Sequence, residues 1–115
     1  NNLIIFNKEK YEGIAAEDNA GIVGENLVSK VEFTVNDFGK NTIAAIHLRF
    51  KDGSVNTVAP QTVKTVNNST YIMWKIGKND IFCHGWVEVQ LELREEETTL
   101  QTDIVRLFAG ESIPI

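Results

Sequence analysis

Few side chains in this 115-residue sequence are of a type and spacing that could do chemistry. Cys83 and His84 form the one adjacent thiol–imidazole pair, and His47 is the second histidine. A cysteine nucleophile needs an imidazole standing opposite it. Adjacent residues of an extended segment face opposite sides, so Cys83 and His84 should not meet, and only His47 is left as a base. A structural cysteine is the better reading of Cys83. The same three residues lack the spacing and ligand number of a zinc site. The acidic run Glu17-Asp18-Asn19 lacks the alternating ligands and distal glutamate of a calcium loop. Glu88 and Glu92 share one strand face, the ordinary pattern of a solvated surface. The stretch "GIVGEN" has no Lys-Ser/Thr and no following helix, so it is not a phosphate-binding loop. The expectation is a protein without catalytic residues, cofactor or metal.

The elements that would position these groups read as strands. Val, Ile and Thr supply 32 residues, while Leu and Ala supply seven each. β-Branched side chains are stiff at χ1 and pack well on a pleated sheet. Val31, Phe33 and Val35 alternate with Lys30, Glu32 and Thr34, the period of a strand with one buried face. Ile46, Leu48 and Phe50 repeat the pattern against His47 and Arg49. Ile72, Trp74 and Ile76 follow, then Val87, Val89, Leu91 and Leu93 against Glu88, Gln90 and Glu92. Weaker strands are expected at Leu3 to Phe6, Ser54 to Val58, Gln61 to Val66 and Leu100 to Phe108.

Turn chemistry separates them. Asp52-Gly53 reads as a two-residue hairpin, Asn67-Asn68-Ser69 as another turn, and Glu95-Glu96-Glu97 with Thr98 and Thr99 as a charged hairpin tip. Gly77 to Gly85 is long enough to cross between two sheets. Lys8 to Asn26, with Gly13, Gly21 and Gly24, reads as a long connection into the body. No window sustains a helical apolar repeat. The fold class is therefore all-β, an immunoglobulin-like antiparallel β-sandwich of about seven to nine short strands, with residues 1–115 as a single domain.

Composition bounds the partners. The net charge is −5 and the eleven basic residues are scattered, which disfavours nucleic acid and anionic membrane surfaces. No apolar run approaches the roughly 20 residues of a membrane span. A single cysteine excludes an internal disulfide and suits a reducing compartment. The candidates for partner docking are Trp86, Tyr71, Met73 and Ile43, all on the outward phase of their strands. Exposed aromatic residues of this kind mark protein or glycan contacts. Equally, Trp86 could dip under a neighbouring loop, or its phase could slip at a bulge near Gly85. Trp74, in phase with Ile72 and Ile76, belongs to the core.

Taken in order, "NNLIIF", "GIVGENLVSKVEFTVNDFGK", "AAIHLRFKDGS" and "GWVEVQLELREEETTLQTDIVRLFAGESI" resemble the N-terminal domain of baseplate upper proteins from tailed phages and prophages of Gram-positive bacteria. The resemblance spans nearly the whole chain and is one of order and spacing, so it transfers no functional residue. It implies a virion component of the tail baseplate, made in the bacterial cytoplasm. Such a component docks to the tail-tip core and positions receptor-binding proteins for host adsorption. Its implied partners are other tail proteins and, in the full-length protein, further copies of itself. The apolar ending "AGESIPI" is expected of the N-terminal part of a longer protein. Two other functions compete. One is a carbohydrate-binding module in which Trp86 and Tyr71 stack on sugar rings. The other is an immunoglobulin-like spacer, against which the missing disulfide counts.

Overall fold

The computed structural model describes residues 2–6, 13–15, 19–22 and 29–110, and every regular element among them is a strand. In chain order these are β1 (Asn2–Phe6), β2 (Gly13–Ala15), β3 (Asn19–Ile22), β4 (Lys30–Val35), β5 (Ile43–Arg49) and β6 (Val55–Val58). They continue with β7 (Thr62–Val66), β8 (Ser69–Lys75), β9 (Gly85–Glu95), β10 (Thr98–Gln101) and β11 (Val105–Gly110). One sheet has the order β2-β1-β4-β8-β7. The other runs β3-β11-β9-β5-β6, with β10 extending the pairing of β9. The two make the expected sandwich.

Alternation builds the core. Val31, Phe33 and Val35 of β4 point inward, as do Ile72 and Trp74 of β8. From the second sheet come Ile46 and Leu48 of β5, Val87 to Leu93 at every second position of β9, and Leu107 of β11. Ile4 lies in register with Phe33 and is fully buried. Trp74 has no exposed surface, and its Nε1 donates to Asp80 Oδ2 at 2.9 Å. The same oxygen accepts the Gly77 N–H at 2.7 Å. One carboxylate thus satisfies the indole and fixes the Gly77–Gly85 crossing, which does pass from one sheet to the other.

Four local expectations are refined. The segment from Lys8 to Asn26, read as a plain connection, contains β2 and β3, with the rest outside the described residues. Those short strands bring the count among the described residues to eleven. Pairing is antiparallel except for β1 with β4 and β3 with β11. Parallel neighbours need a crossover between them, and the chain from Phe6 to Lys30 supplies one. The β5–β6 hairpin has three loop residues, not two, because Phe50 N–H donates to Ser54 O and Gly53 N–H to Phe50 O, both at 2.9 Å. Gly53 takes the left-handed position of that loop, at φ 86°. The stretch Leu100 to Phe108 is two strands rather than one. At the break, Thr102 is buried and its hydroxyl accepts the Leu91 N–H at 3.0 Å, standing in for a ladder partner.

Two turns agree with their residues. Asn67 and Asn68 both have positive φ, 50° and 62°, as a two-residue primed hairpin turn requires. Glu96, at φ 54°, carries the tip between β9 and β10.

Candidate docking face

The outer face of the second sheet can be laid out row by row from its pairing. Trp86 stands opposite Phe108. In the next row Glu88 lies between Arg49 and Arg106, with Val55 beyond Arg49. Gln90 pairs with His47, which pairs with Thr57. Glu92 lies between Ala45 and Gln101, and Arg94 between Ile43 and Thr99. Five of the eight large exposed apolar side chains among the described residues belong here: Ile43, Val55, Trp86, Ile104 and Phe108. The inward phase of β5, β9 and β11 turns Ile43, Trp86 and Phe108 outward, because adjacent strand residues face opposite sides, while Val55 comes from β6 and Ile104 from the residue before β11.

Trp86 is 47% exposed. The pairing of β9 with β11 runs without a shift from Gly85 to Val89, so no bulge rotates the indole inward. Its ring meets Phe108 edge-on, with centroids 5.5 Å apart and planes at 78°. That geometry places the positive ring edge on the negative face of the neighbour. Beside the pair lies a groove of about 190 Å³ walled by Arg49, Lys51, Glu88 and Arg106. A second groove, of about 310 Å³, opens along His47, Arg49, Val55, Thr57, Gln90 and Ile104.

Polar contacts order the centre of the face. Arg49 Nε donates to Glu88 Oε1 at 2.8 Å. That bond, helped by the charges of Arg49 and Arg106 and opposed by partial burial, holds the Glu88 carboxyl below the usual range. Arg49 is raised in return. His47 Nδ1 shares a hydrogen bond with Thr57 Oγ1 at 2.9 Å, and its Nε2 lies 3.4 Å from Glu92 Oε1. Gln90 Nε2 donates to Thr102 O at 2.8 Å.

The four docking candidates do not form one patch. Trp86 and Ile43 are both on this face but at opposite ends of it. Ile43 pairs with Arg94, eight residues along β9 from Trp86, or roughly 26 Å at ~3.3 Å per residue. Tyr71 and Met73 lie on the outer face of the other sheet, around a groove of about 210 Å³ with Glu32, Thr34, Thr62 and Lys64. Strand phase shows which side chains face out but not which sheet a strand joins. Phe108, Arg106 and Val55 were not singled out from the sequence. The alternation Val105, Leu107, Ala109 would have exposed the first two.

The groups that could do chemistry are held apart. Cys83 faces Asp52, and burial together with that carboxylate pushes its thiol up, away from the thiolate a nucleophile needs. His84 Nε2 instead meets Lys51 Nζ at 3.3 Å, and His47 is engaged with Thr57. Among the described residues no three His, Cys, Asp or Glu side chains gather as a metal site. Glu17 and Asp18 lie outside the described residues. No helix of the described residues is long and apolar enough to cross a membrane.

No protein-family model matches the chain, and no curated protein does. Among solved structures it is similar to the N-terminal domain of phage TP901-1 ORF48, at a TM-score of 0.57 and 10% identity. The match covers 94% of this chain and 96% of that one. At that identity the likeness is one of fold. The sequence resemblance had named the N-terminal domain of a phage protein, and the structural neighbour is one.

Proposed function

We propose that this domain is a non-catalytic structural adaptor of a phage tail baseplate, docking to the tail-tip core and positioning receptor-binding proteins for host adsorption. The observation that carries the reading is the fold shared over 94% of the chain with the N-terminal domain of a phage protein. The surface supports it. A rigid sandwich presents an apolar, charge-studded face, while its thiol and imidazoles point to different partners. The domain works in the virion, its partners are other tail proteins and further copies of its parent, and it binds neither nucleic acid nor membrane.

The test is co-expression of the full-length parent with its tail-tip core protein, followed by size-exclusion chromatography. A complex is expected. Trp86→Ala and Tyr71→Ala, made separately because they lie on opposite outer faces, identify the side that docks. The docking side should lose about tenfold or more in affinity with its melting curve little changed. Absence of any complex contradicts the adaptor reading. A glycan-binding role would have to rest on Trp86 or Tyr71 singly, since the two cannot flank the same sugar. Cell-wall glycan retained by the isolated domain, and released by Trp86→Ala, would favour that reading.

A further inference from the structure

The two grooves on the outer face of the second sheet meet at one pair of side chains. Arg49 and Glu88 line both the groove of about 190 Å³ beside Trp86 and the groove of about 310 Å³ that continues to His47, Thr57 and Gln90. From Trp86 to Gln90 the joined cleft runs roughly 13 Å, four strand residues at ~3.3 Å each. Trp86 forms one end, half-exposed and braced edge-on by Phe108. Val55 and Ile104, both exposed, wall the other. The polar row Arg106–Glu88–Arg49 stands between these apolar ends. Arg49 Nε donates to Glu88 Oε1 at 2.8 Å, and neither side chain makes another hydrogen bond among the described residues. The Arg49 Nη donors and the Glu88 Oε2 acceptor are left for a ligand. Gln90 is anchored by the bond from its Nε2 to Thr102 O, which leaves its Oε1 as an acceptor. His47 is held by Thr57 and Glu92. Cross-strand contacts thus fix the polar groups before any ligand arrives, and the ordering cost of binding falls accordingly.

We propose that this cleft binds an oligosaccharide, with one sugar ring packed on Trp86 and hydroxyls bonded to Arg49, Glu88 and Gln90. A sugar offers apolar C–H faces and a rim of hydroxyls, and the cleft offers apolar ends and a polar middle. Each hydroxyl both donates and accepts, and a guanidinium beside a carboxylate answers both roles with charge-assisted bonds. The cleft is longer than a single ring, so the ligand is a chain of sugars. A peptide fits less well. It would need a free strand edge or a contiguous apolar groove. β9 and β5 are interior strands, flanked by β11 and β6, and the charged row divides the apolar side chains. The inference goes beyond the adaptor reading and does not rest on it. It assigns the Trp86 face to a glycan and leaves Tyr71 and Met73, on the other sheet, to a tail protein.

The test is an NMR titration of the isotopically labelled 115-residue chain with soluble tetrasaccharides of N-acetylglucosamine, glucose, galactose and galacturonic acid, each up to about 10 mM. At least one should bind with a dissociation constant on the order of 1 mM, which one stacked ring and about two or three exposed hydrogen bonds supply. The indole N–H of Trp86 and the amides of Glu88 and Gln90 should shift, and those of Tyr71 and Met73 should not. Trp86→Ala should abolish saturation, and Glu88→Gln should weaken binding about tenfold. Tyr71→Ala should bind as the wild type does, and melting curves show that each variant is folded. No shift with any of the four sugars overturns the inference. So do shifts centred on Tyr71, and so does binding that neither Trp86→Ala nor Glu88→Gln weakens. Sugar bound at the cleft by a chain whose parent forms no complex with the tail-tip core protein contradicts the adaptor and leaves the site standing. A complex with that protein and no sugar binding does the reverse.

Discussion

Replacing Trp74 by alanine should cost about 4–6 kcal/mol. Truncating a fully buried aromatic side chain costs roughly 3–5 kcal/mol in lost burial and cavity, and Trp74 has no exposed surface. The indole N–H also serves Asp80 at 2.9 Å. Losing it removes one of the two donors at that oxygen, worth about 1 kcal/mol. Against a typical domain stability of roughly 5–15 kcal/mol, the loss is large. With a urea slope of roughly 1–3 kcal/mol per molar, the unfolding midpoint should fall by on the order of 2 M. Trp86 is the control. It is half-exposed and its main fixed contact is the edge of Phe108, so Trp86→Ala should cost only about 1 kcal/mol. Urea titration followed by circular dichroism reads both. The chain has two tryptophans, so in a Trp86→Phe variant Trp74 is the only tryptophan, and under tryptophan-selective excitation it should emit in the blue and resist a polar quencher. If Trp74→Ala cost no more than Trp86→Ala, or if Trp74 were readily quenched, the two-sheet core would be wrong.

Gly39→Ala should destabilise by about 1–3 kcal/mol, measured by the same titration, from overpacking. A Cβ there would lie 2.5 Å from Thr70 Oγ1 and 2.9 Å from Thr65 Cγ2. Glu88 is depressed by its bond from Arg49, so its contribution to stability should be complete above the ordinary carboxylate value of 4.5. That contribution should be lost as pH falls through its lower folded value. Arg49→Ala should return the Glu88 titration, followed by NMR, towards the ordinary value, and an unchanged midpoint would refute the pairing. Cys83 should alkylate more slowly than a free thiol at neutral pH, because burial and Asp52 keep it protonated. Asp52→Asn should speed the reaction, and iodoacetamide kinetics across pH would detect either outcome.

The strands that make the core were legible because their burial alternates. β4, β5, β8 and β9 appear in the sequence much as they stand in the fold. The asparagine pair at 67–68 was equally plain, since few residues accept left-handed geometry twice in succession. The break at Thr102 was not, because a buried threonine that replaces a backbone partner looks like any strand threonine. The parallel pairing of β1 with β4 was hidden for a different reason. Local periodicity carries no record of which strand lies alongside.

The docking face shows the same division. Outward phase identified Trp86, Tyr71, Met73 and Ile43, but only the sheet order separates Tyr71 and Met73 from the other two. Sheet order also gathers Phe108, Arg106 and Val55 around them. The cleft beside Trp86 is visible in "GWVEVQLELREEE" only once Arg49, Lys51 and Arg106 are brought in from two other parts of the chain.

Quantitative mass spectrometry of tailed particles purified from the source that encodes this chain tests the proposed adaptor role without intermediaries. The parent protein should be present in each tail in a fixed multiple of the tail-tip core protein. Its absence from intact, infectious particles would contradict a place in the baseplate.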